Sequence, residues 1–234
     1  MIAHPDHSVK AQIVLASASP RRRELIKLLG LPVETTSADI DEVPLPGEQA
    51  DAMALRLSRE KARMALSFMR SVHAQRSRAA FILLASDTVV SLDGEPLGKP
   101  RDGDDARSML RRLRNRTHQV YTGIALIDTT TARMATDLAG SDVRMRDYSD
   151  EEIEAYIASG DPFDKAGAYA IQHNGFHPAD RFDHCFANVM GLPLCHVVRS
   201  LRQLGVEPIN AVPTLCQSYL SYECPVFEGI LSNQ

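Results

Sequence analysis

The chain has 234 residues, of which 44% are hydrophobic and 24% charged, the composition of a globular protein with room for one large domain or two small ones. A net charge of −4 excludes a broad basic surface for nucleic acid, and no apolar run approaches a membrane span. Cys185, Cys195, Cys216 and Cys224 form no Cys-x-x-Cys pair, and residues 1–12 lack the apolar core of a signal peptide, so reduced, buried or idle thiols in a cytoplasmic protein are expected.

Residues 13–16 predict a buried strand, and residues 20–29 a helix stopped by Gly30. The turn between them, Leu15-Ala-Ser-Ala-Ser-Pro-Arg-Arg-Arg-Glu-Leu25, puts Ser19 at the N-cap and Pro20 at the first helical position. Arg21, Arg22 and Arg23 then crowd a helix end that already carries about half a positive charge. A bound anion such as phosphate relieves that crowding; arginines splayed into solvent are the alternative.

Residues 31–43 are expected to be extended, ending in Asp39-Ile-Asp-Glu42 before Pro44 and Pro46 break the chain. Asp41 and Glu42 are either solvated or ligands of a divalent metal, since magnesium takes one or two carboxylates plus phosphate oxygens and water. Residues 51–69 predict an amphipathic helix with Met53, Leu57, Met64 and Phe68 at helical spacing and Lys61 on its charged face. Residues 71–78 read as a polar connection.

Residues 81–85 predict a buried strand that resumes at 89–92 after Ser86-Asp-Thr88, with Asp93-Gly94 as a hairpin turn. Asp87, at the expected end of that strand, is costly unless paired or metal-bound, and strand ends are where α/β sheets bind ligands. Capping the next turn through Thr88 is the competing role. Lys99, in Leu97-Gly-Lys-Pro100, either neutralises a phosphate or sits in a solvated turn. No Gly-x-x-x-x-Gly-Lys-Ser/Thr occurs, which excludes a P-loop.

A basic helix is expected over 104–113, and paired strands over 119–127 and 134–145. Tyr121-Thr-Gly123 marks a close backbone approach to a ligand, or a bulge. Ser149-Asp-Glu-Glu152 reads as a capping box opening a helix that ends at Gly160. Residues 168–171 predict a short strand ending at Gln172, whose amide either reads a base edge or caps the strand. Gly191-Leu-Pro-Leu194 leads into a last helix closed by Gly205. The histidines show no metal spacing, and without Gly-x-Ser-x-Gly covalent catalysis is not expected. The fold class is α/β, a mixed twisted sheet with flanking helices. The expected divisions are an N-terminal extension (1–12), one domain (13–205) and a tail (206–234), loosely attached or packed as an arm through Leu215, Tyr219, Tyr222 and Phe227.

Eight motifs follow one another in order: Ser17-Ala-Ser-Pro-Arg-Arg22, Asp39-Ile-Asp-Glu42, Arg59-Glu-Lys-Ala62, Ser86-Asp-Thr-Val-Val90, Gly98-Lys-Pro-Arg101, Thr122-Gly123, Asp164-Lys-Ala-Gly-Ala-Tyr169 with Ile171-Gln172, and Val189-Met-Gly-Leu-Pro-Leu194. Together they resemble the Maf family of nucleoside triphosphate pyrophosphatases over residues 13–204. The resemblance implies two lobes around a nucleotide cleft, as in inosine triphosphate pyrophosphatases, and hydrolysis of a nucleoside triphosphate to monophosphate and pyrophosphate. It implies a divalent cation, Mg2+ or Mn2+, a homodimer, and no nucleic-acid or membrane partner. By motif, Asp87 matches the proton acceptor, and Glu42 with Asp87 the metal carboxylates. Ser17, Ser19, Arg21, Arg22, Lys61 and Lys99 match phosphate-binding positions, and Arg21, Thr88 and Gln172 match positions tied to base selectivity. Arg23 lies outside the matched motif and reads as a solvated residue.

Thr88 and Gln172 resemble the dTTP/UTP branch rather than the 7-methyl-GTP branch. Two departures stand out: His173-Asn-Gly175 where the family has Gly-x-Gly, and a loop over 176–188 carrying His177-Pro178 and Asp180-Arg-Phe-Asp183. The implied role is nucleotide-pool house-cleaning, with a link to arrest of cell division. A nucleotide-binding regulator of division without turnover is the alternative.

Overall fold

The computed structural model describes residues 11–72 and 80–232. A six-stranded mixed sheet runs β2-β1-β3-β5-β6, with β4 paired to β3. Strand β1 (Gln12–Ala16) pairs in parallel with β2 (Val33–Thr36) and β3 (Phe81–Leu92). Strands β4 (Glu95–Leu97), β5 (Thr117–Asp128) and β6 (Met134–Arg144) add antiparallel pairings. The alternation of strands and helices early in the chain gives the parallel part, and the hairpins give the rest.

Helices cover both faces of the sheet, which is why β1 and β3 read as nearly continuous apolar runs. Along β3, Phe81, Leu83, Ala85 and Val89 face helix α2 (Ala50–Val72), while Ile82, Leu84, Val90 and Leu92 enter the main core. That core gathers Leu25 and Ile26 of α1 (Pro20–Lys27), Leu110 and Leu113 of α3 (Gly103–Leu113), and Ile153 and Tyr156 of α4 (Asp150–Ala158). Each fully buried aliphatic side chain contributes roughly 1.5–3 kcal/mol. Alanines 54, 62 and 65 let α2 lie close to the sheet. The approach is tightest at Gly123, where a Cβ atom would fall 2.2 Å from the Ala54 carbonyl oxygen. The Tyr121-Thr-Gly123 segment is thus neither a bulge nor an approach to a ligand: Gly123 makes room for the backbone of a helix.

Several local expectations hold. Asp93 and Gly94, both at positive φ, turn β3 into β4. Ser149 and Glu152 form the reciprocal capping box of α4. Others are corrected. Extended pairing covers only Val33–Thr36 of residues 31–43. The polar connection lies largely outside the described residues. Residues 168–171 form no strand, because Gly167 (φ 70°) and Ala168 (φ 60°) bend the chain into a turn.

The helix α6 (Leu194–Gln203) is not the last. The short α5 (Phe186–Val189) precedes it, and α7 (Val212–Leu220) and α8 (Phe227–Ser232) follow. These last two are docked rather than loose. Asn210 Nδ2 donates to Leu28 O (3.1 Å), Tyr222 OH to His184 O (2.9 Å), and Arg199 Nη1 to Ile230 O (3.2 Å). All four cysteines are free thiols and line one small apolar cavity beneath these helices. Among the described residues, no helix is long and apolar enough to cross a membrane.

Candidate active site

A cleft opens where β3 lacks a neighbour on one edge. Strand β5 pairs with β3 from Ile82 to Ser91. On the opposite edge β1 pairs only as far as Leu84, and β4 takes over at Val90. Residues 85–89 therefore present an unpaired edge, and Asp87 sits at its middle. This corrects the expectation of a strand end: β3 is continuous through Asp87. The two-residue period of the strand sends Asp87 to the α2 face, and Ser86 and Thr88 to the opposite face.

On the α2 face, Lys61 ties two carboxylates together. Its Nζ donates to Glu42 Oε1 at 2.5 Å and makes a very short contact with Asp87 Oδ1. Lys61 and Asp87 are buried at 8% and 5% exposure, whereas Glu42 is half exposed at the cleft mouth. Burial pushes the Asp87 carboxyl up, and the charges of Lys61 and Arg22 do not fully reverse it. Burial also pushes Glu42 up, but there the Lys61 hydrogen bond and the charges of Lys61, Lys99 and Arg22 win and hold it low. The loop carrying Glu42 is clasped to α2 by Arg56. That guanidinium forks onto Glu48 (2.6 and 2.7 Å) and donates to Val43 O (3.1 Å).

On the opposite face, Arg22 closes the bare edge. Its Nε donates to Gly191 O (2.8 Å), Nη1 to Ser86 O (2.9 Å) and Nη2 to Thr88 Oγ1 (3.0 Å). Burial pushes its pKa below the ordinary guanidinium value, against the pull of Asp87. Gly191 (φ 98°) is required here, because a Cβ would lie 3.0 Å from Arg22 Nε and 3.1 Å from Thr88 Oγ1.

The expected site residues separate as follows. Ser19, Arg21, Arg22, Glu42, Lys61, Asp87, Thr88, Lys99 and Gln172 share the cleft. Arg21 faces Asp164 at 3.6 Å, and Lys99 stands exposed at the lip, its loop tied down by Gly167 N–H to Gly98 O (3.0 Å). Ser19 holds the N-cap position, but its side chain caps nothing. Ser17 lies buried behind the turn, outside the cleft lining, where its Oγ accepts the Ser19 N–H at 3.2 Å. Arg23 is exposed. His173 also lies outside the lining: its Nδ1 accepts the Phe176 N–H, and its ring meets Tyr156 edge-on.

Asp164, Lys165, Val189, Met190 and Gly191 line the cleft without having been singled out. All belong to the quoted motifs, and their place in that order is the only sequence signal that marks them. Lys165 is bonded to Asp161 and Asp164, so its charge is already paired.

Among the described residues, no three His, Cys, Asp or Glu side chains gather to hold a metal ion. Two carboxylates do converge, Glu42 and Asp87, and they already share one cation in the Lys61 ammonium. That donor set fits a hard divalent ion that draws its remaining ligands from phosphate oxygens and water.

A mixed α/β domain with paired carboxylates and clustered cations at a gap in its sheet edge belongs to the class that handles phosphorylated small molecules. The Maf-like protein family matches residues 12–204, and the chain belongs to that family. It is 45% identical to a dTTP/UTP pyrophosphatase of Chromobacterium violaceum over 196 residues, 84% of this chain and 96% of that protein. A dTTP/UTP pyrophosphatase of Geobacter sp. (strain M21) is 43% identical over 83% of this chain and 96% of its own, and that of Pasteurella multocida 40% over 84% and 97%. Among solved structures, the Staphylococcus aureus Ham1 protein aligns with 90% of this chain and 98% of its own at 16% identity and a TM-score of 0.41.

Proposed function

We propose that this protein hydrolyses nucleoside triphosphates, dTTP and UTP foremost, to the monophosphate and pyrophosphate. The observation that carries this reading is the buried Asp87 and the half-exposed Glu42 meeting at Lys61, in a cleft that also holds Arg21, Arg22 and Lys99. A module that only bound nucleotide would have no use for a buried carboxylate beside its cations.

The triphosphate lies along the cations: Lys99 and Arg21 neutralise its oxygens, and Lys61 joins them by giving up its contacts with Glu42 and Asp87. Arg22 contributes charge while its hydrogen bonds hold the rim of the cleft in shape. Water attacks the α-phosphorus: its oxygen bonds to phosphorus, the bridging α–β bond breaks, and pyrophosphate leaves with the electron pair. Asp87, at the middle of the bare sheet edge, accepts the water proton. Glu42 and Asp87 would hold a divalent cation, Mg2+ or Mn2+, which when bound supplies charge to phosphate oxygens and acidifies water.

The reading extends to house-cleaning of the cytoplasmic nucleotide pool by a homodimer. Met64 and Phe68, half exposed on α2, give such a dimer an apolar contact. Pyrophosphate release from dTTP and UTP with Mg2+, with and without the Asp87→Asn substitution, tests the activity. Sedimentation velocity tests the dimer.

A further inference from the structure

Thr88 and Thr122 are partners across the β3–β5 ladder, with their hydroxyl oxygens 2.9 Å apart. Their surroundings leave one direction for the protons. The Asn188 carbonyl can only accept, and it lies 3.0 Å from Thr122 Oγ1. The single Thr122 proton therefore goes to Asn188. Thr122 must then accept from Thr88, while Arg22 Nη2 donates to Thr88. The Thr88 hydroxyl is left with one lone pair and no proton to offer the cleft.

The relay is rigidly backed. Asn188 is fully buried, and its carbonyl also takes the Gly191 N–H at 2.9 Å. Its side-chain Nδ2 donates to Val120 O (3.0 Å) and Ser141 Oγ (2.9 Å).

Thr88 lies on the face of β3 opposite Asp87 and Lys61, where the Arg22 guanidinium is already spent on Gly191, Ser86 and Thr88, and neutral Ala170, Gln172, Val189 and Met190 also line the cleft. The ionic side suits phosphates, and a neutral lining suits a flat heterocycle. The Gln172 amide, which has no hydrogen-bond partner among the described residues, can turn either its donor or its acceptor toward a ring and so cannot choose alone.

We propose that Thr122, anchored on the Asn188 carbonyl, is a positioning residue that holds Thr88 as an obligate acceptor in the base subsite, so that the cleft selects pyrimidines bearing an N3–H, thymine and uracil, over cytosine. In this arrangement ring position 3 faces Thr88, where cytosine would set its N3 lone pair against that of the hydroxyl and could satisfy Thr88 only by shifting to donate from its N4 amino group, out of the register that thymine and uracil hold. The inference rests on the pyrimidine triphosphate activity proposed above and refines its base preference.

The test compares kcat/KM for UTP and CTP. Wild type favours UTP. Thr122→Val frees the Thr88 proton to turn into the cleft, so the UTP:CTP ratio falls about fivefold, mainly through a gain on CTP. Thr122→Ser keeps the relay and the wild-type ratio. Thr122→Ala replaces the valine variant if that variant fails to fold. Titration of the same proteins with UMP and CMP reads the relay without turnover, so its outcome is separate from that of the hydrolase assignment. An unchanged ratio in the hydroxyl-less variant, or equal handling of uracil and cytosine by wild type, overturns the proposal.

Discussion

Asp87 stands directly opposite Gly123 in the β3–β5 ladder, on the same face of the sheet. The missing side chain at Gly123 lets α2 settle onto β5, and the same helix delivers Lys61 to Asp87. Gly123→Ala therefore strains the site as well as the fold. Its methyl would overlap the Ala54 carbonyl, a backbone atom that cannot rotate away. Overpacking of this kind costs about 1–3 kcal/mol, and thermal denaturation should show a Tm lower by several degrees. Hydrolysis by the folded variant should fall too, as α2 is lifted from Asp87.

Arg56 never touches the cleft, yet it holds the loop that carries Glu42. Arg56→Ala should weaken the response to Mg2+, raising the metal concentration for half-maximal rate by about tenfold or more, as loss of a ligand-orienting partner does elsewhere. A metal titration of the initial rate measures this, and Arg56→Lys should recover only part of the effect because a lysine cannot fork onto Glu48.

His118 is buried against Tyr169, its Nε2 2.8 Å from the phenol oxygen and its Nδ1 without a partner. Burial lowers its pKa to about 4, against a weak upward pull from Asp142. Between pH 6.5 and 4 the unfolded chain takes up a proton that the folded protein refuses. Stability is therefore complete above about pH 6.5 and lost progressively as pH falls toward 4, by roughly 3 kcal/mol at most. A Tm–pH series should slope downward through this window in wild type and flatten in His118→Gln.

The legible parts of the fold were those set by neighbouring residues. The Asp93-Gly94 turn, the Ser149–Glu152 capping box and the β5–β6 pairing each follow from local chemistry, and each is present. The polar Ser86-Asp-Thr88 reads locally as a strand end because a short segment does not show β5 pairing straight through it, nor Lys61 arriving from α2 to meet Asp87. The apolar run at 168–171 resembles a strand, but left-handed turns at Gly167 and Ala168 bury it without pairing.

The arginine turn was legible as a concentration of charge, not as a division of labour. Arg22 makes three hydrogen bonds that close the sheet edge, and Arg21 faces Asp164. Asn188 and Gly191 are uncharged, and their importance lies in contacts across more than sixty residues, which no local pattern announces.

If Asp87 is the base that drives hydrolysis, its replacement by the neutral amide removes turnover while the phosphate-binding cations stay in place. The most direct measurement is pyrophosphate release from dTTP and UTP in the presence of Mg2+, by wild type and Asp87→Asn. Wild type should release pyrophosphate robustly, and the variant should lose about a hundredfold or more, with nucleotide monophosphate binding retained. Release by Asp87→Asn at the wild-type rate would contradict that role.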